Sequence, residues 1–301
     1  MGARLMLTVA EAGEPQPDLP GLDAGALAVG IACSWARAGC DVLLVDADAH
    51  GMCLAERIGA ATRTVLPPAR RGLPSLMAAR TAIGPQAVTR HCWHLAVKVP
   101  GSVRLLAAPT HPDGARASAA WLAERAEQLA TLAALWPIVV SMPGQPVDAY
   151  RTLGAAATQR VALAGSTGTA PPGGLRAVLN AFGFGFGPDP VTLLFEPSDA
   201  VGDTGAAAAD RRFPGAGRGL PGCVGPVNAV ALLGGRVRRR DRTPLASIDA
   251  AAGRLRGLSD QSAKPSAGKT DCCSVPAGHD KQAHTRAKAR VRRATTAGGT
   301  Q

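Results

Sequence analysis

Short apolar runs alternate with helical stretches along most of this 301-residue chain. The runs are RLMLTVA, CDVLLVDAD, VRLLAAP, WPIVVSM, RVALAG and VTLLFE, and the stretches between them include AGALAVGIACSWARAG and ASAAWLAERAEQLATLAAL. Strands that are apolar along their whole length bury both faces, as in a parallel sheet covered by helices on each side. The sequence therefore predicts an α/β fold with a mostly parallel sheet and helices on both faces.

One predicted strand, CDVLLVDAD, ends in two aspartates, Asp46 and Asp48. Ligands of open parallel sheets bind beyond the carboxyl ends of the strands. Side chains alternate along a strand, so both carboxylates are expected on one side with Ala47 opposite. Such a pair is suited to hold Mg²⁺ through water and to orient an attacking water. The alternative is structural, because an aspartate at a strand end often caps the following turn or helix.

The positive charge of the chain, +11 overall, lies at its C-terminal end. Residues 1–235 contain eighteen Lys and Arg against seventeen Asp and Glu, whereas residues 236–301 contain fifteen against five. From about Gly257 the sequence almost loses Leu, Ile and Phe, so it cannot bury enough apolar surface to offset the entropy of ordering. We predict an α/β domain over residues 1–256 and a disordered basic tail over residues 257–301.

The predicted tail ends in a basic segment that contains Arg286, Lys288, Arg290, Arg292 and Arg293. Lys and Arg that neutralise phosphates release counterions, so one hypothesis is nonspecific binding of nucleic acid; the alternative is a solvated tail with no dedicated partner. Membrane insertion is not expected, because the segment offers only Ala and Val as its apolar side. The chain also lacks a run of about 18 apolar residues and the layout of a signal peptide, which predicts a cytoplasmic protein.

The segment AGCDVLLVDADAHGMCLAERIGA resembles the deviant-Walker region of the MinD/ParA family of P-loop ATPases, in which a helix ending in Gly leads to a strand ending in Asp-x-Asp. The resemblance continues through GLPSLMAAR, VRLLAAPTHPDGARA and WPIVVSMPG, and it covers roughly Leu5 to Leu255. It implies a P-loop NTPase-like three-layer sandwich that binds Mg-ATP. The nucleotide-binding positions that it implies are Gly21, Gly25, Ala26, Asp46 and Asp48, with Asp46 on Mg²⁺ through water and Asp48 catalytic if the chain is active.

The phosphate-binding loop of the family falls on LPGLDAGALA, and most of its functional residues are replaced. Gly21 matches a family glycine, but Asp23 replaces another, and Ala24 stands at the phosphate-binding Lys. Gly25 and Ala26 stand where the family has hydroxyls. Whatever the register, residues 5–36 contain no Lys, Arg or His. A charge-assisted hydrogen bond contributes roughly 1.5–3 kcal/mol, so the missing Lys is expected to weaken nucleotide binding on the order of ten- to a hundredfold.

Two more family positions are altered. Ser141 occupies the place of an Asp that helps to hold Mg²⁺, and Leu19 that of a second Lys that reaches across the nucleotide-bound dimer. We therefore hypothesise a pseudo-ATPase that binds Mg-ATP weakly and acts as a scaffold or regulator in a partitioning, division-site or secretion and pilus positioning system. Its expected partners are a second copy of the chain or an active MinD/ParA-like relative.

Two alternatives remain open. The first is an active MinD/ParA-type ATPase with a divergent phosphate loop, in which a cation from elsewhere, such as Lys98 or an Arg, replaces the missing Lys. The second is a nonspecific nucleic-acid-binding protein that acts through its basic tail, with the α/β body as a platform for oligomerisation.

Overall fold

The computed structural model describes residues 5–11, 24–51, 53–62, 71–95, 99–164, 180–182, 191–195, 222–223 and 242–262. The strands in these ranges are β1 (Met6–Glu11), β2 (Asp41–Asp46), β3 (Trp93–Leu95), β4 (Ser102–Leu106), β5 (Ile138–Met142), β6 (Gln159–Ala164), β7 (Val191–Phe195) and β8 (Gly222–Cys223).

The strands form one sheet in the order β3-β4-β2-β5-β1-β6-β7-β8. Every neighbouring pair is parallel except β3 and β4, which are antiparallel. Consecutive strands of the chain are mostly not neighbours in the sheet, because parallel strands require a crossover between them. The predicted α/β fold with a mostly parallel sheet is confirmed.

Helices cover both faces of the sheet. They are α1 (Ala24–Arg37), α2 (Leu54–Thr62), α3 (Leu73–Ala78), α4 (Pro85–His91), α5 (Pro112–Ala123), α6 (Ala126–Leu132), α7 (Asp148–Ala156) and α8 (Arg242–Ser262). One apolar cluster joins α1, α2 and α8 to one face, and a second joins α3 to α7 to the other. Alternate residues of each strand belong to different clusters, as Leu7 and Met6 of β1 do. The result is a three-layer sandwich.

The stretch ASAAWLAERAEQLATLAAL forms two helices, α5 and α6, where its pattern predicts one. The break lies at Arg125, whose guanidinium group stacks 4.4 Å from the Trp121 ring centroid and donates to the Trp121 carbonyl oxygen at 3.3 Å. The Arg125 side chain thus donates to a carbonyl in the last turn of α5, where carbonyl groups lack N–H partners within the helix.

Helix α8 is fixed to α1 and to β6 by polar contacts in addition to the apolar cluster. The indole N–H of Trp35 donates to the carbonyl oxygen of Ala252 at 2.9 Å, and the Gln159 side chain donates to that of Leu255 at 2.7 Å. The helix continues to Ser262, so the segment predicted as tail begins inside it, and the rest of that segment lies outside the described residues. In the described ranges, no helix combines the length and apolar character needed to cross a membrane.

Candidate functional site

The candidate site lies at the carboxyl ends of β2 and β5, two strands that are neighbours in the middle of the sheet. Asp46, the last residue of β2, is paired with Ser141 of β5. Both are buried, and the strand alternation places them on the face of Leu44 and Val139, which is the face covered by α1. The sheet therefore directs a carboxyl group and a hydroxyl group into the layer that begins with α1.

Asp46 acts as an acceptor for backbone N–H groups from three segments. Its Oδ2 accepts from Leu54, the first residue of α2, at 2.7 Å and from Ala108, just after β4, at 3.4 Å. Its Oδ1 accepts from Asp48 at 3.4 Å. Leu54 is in the first turn of its helix, where N–H groups have no intrahelical partner. Asp46 thus connects the end of β2 to α2 and to the segment after β4, as the structural alternative describes.

The environment of Asp46 favours its neutral form. Burial is the largest cause and raises the pKa of the carboxyl to about 7, the Leu54 N–H lowers the pKa, and the nearby charge of Asp48 raises it. The ordinary value is 3.8. At neutral pH a substantial fraction of Asp46 is therefore protonated, and a protonated carboxyl is a poor ligand for a hard cation.

Asp48 differs from Asp46 because one of its oxygens is unused. Its Oδ1 accepts a hydrogen bond from the His50 N–H at 2.7 Å, which forms a turn of the Asx type. Its Oδ2 is buried and, among the described residues, has no hydrogen-bond partner. The same holds for the hydroxyl of Ser141. Buried polar atoms without partners are uncommon, so these two atoms mark the polar centre of the site.

Two side chains that the sequence analysis missed connect the loops around this centre. The Tyr150 hydroxyl, on α7, accepts from the Ala49 N–H and donates to the Pro143 carbonyl oxygen, each at 3.0 Å. The His50 Nε2 lies 3.0 Å from the Gln145 carbonyl oxygen. The sequence offers one signal for Tyr150, which is the single tyrosine of the chain and follows the strand that matches the family.

The predicted nucleotide-binding residues are only partly within the described ranges. Gly25 is buried and Ala26 half-buried in the first turn of α1, the helix that covers the face of the sheet on which Asp46 lies. Other predicted positions lie outside the described residues, namely Leu19, Gly21, Asp23, Lys98, Arg286, Lys288, Arg290, Arg292 and Arg293. Their proposed roles remain predictions.

Three arginines that border the sheet are engaged away from the centre. Arg37, at the far end of α1, forms an ion pair with Asp249. Arg104 lies 4.9 Å from the centroid of the Trp136 ring, and Arg160 donates to the carbonyl oxygen of Gly154 at 2.7 Å. None of these contacts brings a guanidinium group to the start of α1.

No family model matches this chain, and no curated protein matches it significantly. Solved structures do match. MinD, the septum site-determining protein from Pyrococcus horikoshii OT3 in complex with Mg-ADP, superposes with a TM-score of 0.57 at 13% identity, covering 87% of this chain and 99% of its own. A ParA family ATPase from Chlorobium tepidum TLS gives a TM-score of 0.55 at 10% identity, covering 83% and 99%.

A third match is the MinC:MinD cell division protein complex from Aquifex aeolicus, with a TM-score of 0.51 at 14% identity, covering 84% of this chain and 96% of the matched chain. The three superpositions each cover more than four fifths of this chain. The chain therefore has a MinD/ParA-like fold, as the sequence resemblance predicted. At these identities the match establishes the fold and leaves the activity to be argued from the residues.

MinD in the Pyrococcus structure is in complex with Mg-ADP. The donor set at the centre consists of one unpartnered carboxylate oxygen of Asp48, the neutral hydroxyl of Ser141, and the Asp46 carboxyl, whose oxygens already accept N–H groups. Across the part of the chain that the structure describes, no three His, Cys, Asp or Glu side chains are grouped to hold a metal ion. These residues fit Mg²⁺ poorly, because the Asp46 carboxyl accepts N–H groups and has a raised pKa, and the Ser141 hydroxyl adds no charge.

Proposed function

We propose that this chain is a MinD/ParA-like protein that binds nucleotide weakly, does not hydrolyse it, and acts as a scaffold or regulator in a positioning system. The observation that supports this most strongly is the use of Asp46. A carboxyl that accepts backbone N–H groups from Leu54, Ala108 and Asp48, with a pKa raised by burial, is committed to holding the fold together. It contributes little to binding a divalent cation.

The phosphate side of the site supports the same proposal. Residues 5–36 contain no cation, and the helix that should follow the phosphate loop begins with Ala24. The N–H groups at the start of a helix attract anions even without a side-chain charge. We therefore expect weak, low-specificity binding of phosphates at the start of α1.

The proposed role follows from the fold and its matches. The Aquifex structure shows a MinD-type chain in a complex with MinC, so this fold presents surfaces to protein partners. We propose that this chain associates with a second copy of itself or with an active MinD/ParA-like relative, and that it contributes a fixed surface to partitioning, division-site placement, or secretion and pilus positioning. Without the catalytic groups, such association would be independent of ATP turnover.

The first test is a titration of the purified protein with a fluorescent ATP analogue at near-physiological salt, with and without Mg²⁺. We expect no saturation below millimolar nucleotide and no increase in affinity with Mg²⁺. Turnover is measured in parallel for the wild type and for Asp48→Ala, since the variant separates the chain's own activity from that of a contaminant. Mg²⁺-dependent turnover that disappears in Asp48→Ala would establish the active ATPase instead.

The charge distribution supports a second candidate, nonspecific binding of nucleic acid through the basic C-terminal segment. Fifteen Lys and Arg against five acidic residues in residues 236–301 form the kind of segment that binds phosphate backbones through counterion release. The matched experiment compares the full chain with a chain that ends after Ser262, because this truncation retains all of α8. Salt-sensitive DNA binding that is lost on truncation would support this candidate, and equal binding by both chains would exclude the tail.

A further inference from the structure

Two loops flank the centre of the site. The β2 loop comprises residues 47–51 and contains Asp48. The β5 loop comprises residues 143–147 and follows the strand that contains Ser141. Strands β2 and β5 are joined by backbone hydrogen bonds, the last of which runs from the Ala47 N–H to the Ser141 carbonyl oxygen at 2.9 Å. Beyond that bond, side chains connect the two loops.

The hydroxyl of Tyr150 makes the first connection between the loops. It accepts from the N–H of Ala49 in the β2 loop and donates to the carbonyl oxygen of Pro143 in the β5 loop, so one oxygen atom serves both. The tyrosine is fully buried, and its ring stacks on Phe182 with centroids 5.8 Å apart and planes at 13°. Its position is therefore set by the packing of the core rather than by either loop.

The imidazole of His50 makes the second connection. Its Nε2 donates to the carbonyl oxygen of Gln145 at 3.0 Å, which reaches from the β2 loop to the β5 loop on the outer side of Tyr150. Gly144 lies against the same ring with φ at +76°, and a Cβ atom on this residue would be 2.8 Å from His50 Cδ2. Any residue other than glycine at position 144 would therefore place a Cβ atom in the space that the imidazole occupies.

We propose that Tyr150 and His50 form a clamp that fixes the β2 loop to the β5 loop without any ligand. The clamp would hold Asp48 and Ser141 in one arrangement whether or not nucleotide is present, so the loops would not report a nucleotide state. This inference rests on the proposed function, since a chain that does not hydrolyse ATP has no need to move these loops. It goes further by naming the residues that fix them.

Amide hydrogen exchange on the full chain tests the clamp. Tyr150→Phe keeps the ring on Phe182 and removes both hydroxyl bonds. The amide of Ala49 loses its acceptor directly, so the informative amides are those of Ala47, which donates to Ser141, and His50, which donates to Asp48. We expect their exchange to accelerate by roughly five- to tenfold, the effect of losing about one hydrogen bond. Unchanged exchange at Ala47 and His50 would overturn the clamp.

His50→Ala provides a second, milder variant, because His50 is half-buried and its backbone bond to Asp48 is retained. In this variant the Tyr150 hydroxyl is intact, so faster exchange at Ala49 reports coupling between the two connections. The double variant should accelerate exchange less than the product of the two single effects, because the loss of either connection already weakens the other. Independent, multiplicative effects would show two separate contacts and no clamp.

Thr158→Val is the matched control. The Thr158 hydroxyl also bridges two backbone groups, accepting from the Met6 N–H at 2.9 Å and donating to the Met6 carbonyl oxygen at 3.0 Å, but at the opposite end of the sheet. It should lower global stability to a similar extent and leave exchange in the β2 and β5 loops unchanged. Acceleration in those loops by this variant as well would mean that the effect is global unfolding.

A nucleotide arm separates the clamp from the proposed function. In the wild type, exchange in both loops should be the same with and without millimolar Mg-ATP, and a change would overturn the clamp. The turnover assay described above tests the proposed function on its own. ATP turnover, with loop exchange that Mg-ATP does not change, would refute the pseudo-ATPase and leave the clamp in place. Absence of turnover, with normal loop exchange in Tyr150→Phe, would support the pseudo-ATPase and overturn the clamp.

Discussion

Asp46 and Ser141 are direct neighbours in two parallel strands, and both side chains are buried on the face of the sheet that α1 covers. A carboxyl with a raised pKa is thus placed beside a hydroxyl that has no partner among the described residues. The family that the sequence resembles has a second acid at the serine position. An acid at position 141 would place two carboxyl groups side by side in the buried layer.

Ser141→Asp is therefore expected to destabilise the protein. No cation among the described residues contributes to the pKa of Asp46, so a second buried carboxylate beside it would be uncompensated, and an unpaired buried charge costs about 3–5 kcal/mol. Urea unfolding at pH 8 measures the loss, with Ser141→Asn as the neutral control of the same shape. We expect Mg²⁺ to leave the Asp variant unstable; recovery of wild-type stability on adding Mg²⁺ would show a working metal site.

Asp46→Asn should change how stability depends on pH. The pKa of Asp46 is about 7 when folded and 3.8 ordinarily, so the folded state holds the proton more tightly. Stability contributed by this group is present below pH 4 and decreases as the pH rises towards 7. The asparagine cannot ionise, so its stability relative to the wild type should rise over this range, by at most about 4 kcal/mol.

Unfolding curves at several pH values between 4 and 8 provide the measurement for this variant. Asp113→Asn removes a charge from an exposed position on α5 and is the control. A constant difference between Asp46→Asn and the wild type across this range would contradict the raised pKa.

Gly144→Ala should cost more than Gly39→Ala. Both glycines have positive φ, +76° and +87°, which costs an alanine about 1 kcal/mol. At Gly39 a Cβ would meet nothing within 4 Å, whereas at Gly144 it would collide with the His50 ring. Overpacking typically adds about 1–3 kcal/mol. In a His50→Ala background the two substitutions should cost the same; a persistent difference would place the cause outside the imidazole.

Cys33 and Cys53 should resist alkylation in the native protein. Burial is the main reason that the pKa of Cys33 is raised to about 12 and that of Cys53 to about 11, and the thiolate is the reactive form. At pH 8 roughly a thousandth or less of either thiol is ionised. Peptide mass spectrometry after treatment with iodoacetamide checks this, with denatured protein as the positive control. Rapid native labelling of Cys53 would indicate that the β2 end of the sheet opens.

Much of the fold could be predicted because continuous apolar strands and intervening helices have few alternative arrangements. The Asp46 and Asp48 positions followed from the strand ending in two aspartates. The bond from Leu54 at the start of α2 agrees with the structural alternative, in which Asp46 caps the following helix, whereas the bond from Ala108, 62 residues away, could not be predicted. Contacts between residues that are far apart in the sequence leave no local sequence pattern.

The same reason explains the two missed connections between the loops. Tyr150 lies 101 residues from Ala49, and His50 lies 95 residues from Gln145, so no spacing rule relates them. The break between α5 and α6 is different, because Arg125 and Trp121 are local. The apolar period continued through the break, and a guanidinium group that competes for a helix carbonyl leaves that period unchanged.

Helix α8 completes the apolar layer over α1 with residues such as Ile248, Ala252 and Leu255, while α1 begins at Ala24. During synthesis, more than two hundred residues are therefore added after α1 before α8, which packs against it, leaves the ribosome. Until then the growing chain exposes a strongly apolar helix, the kind of surface that chaperones bind. The order in which the layers are made thus leaves this apolar surface open to non-native contacts until α8 has been synthesised.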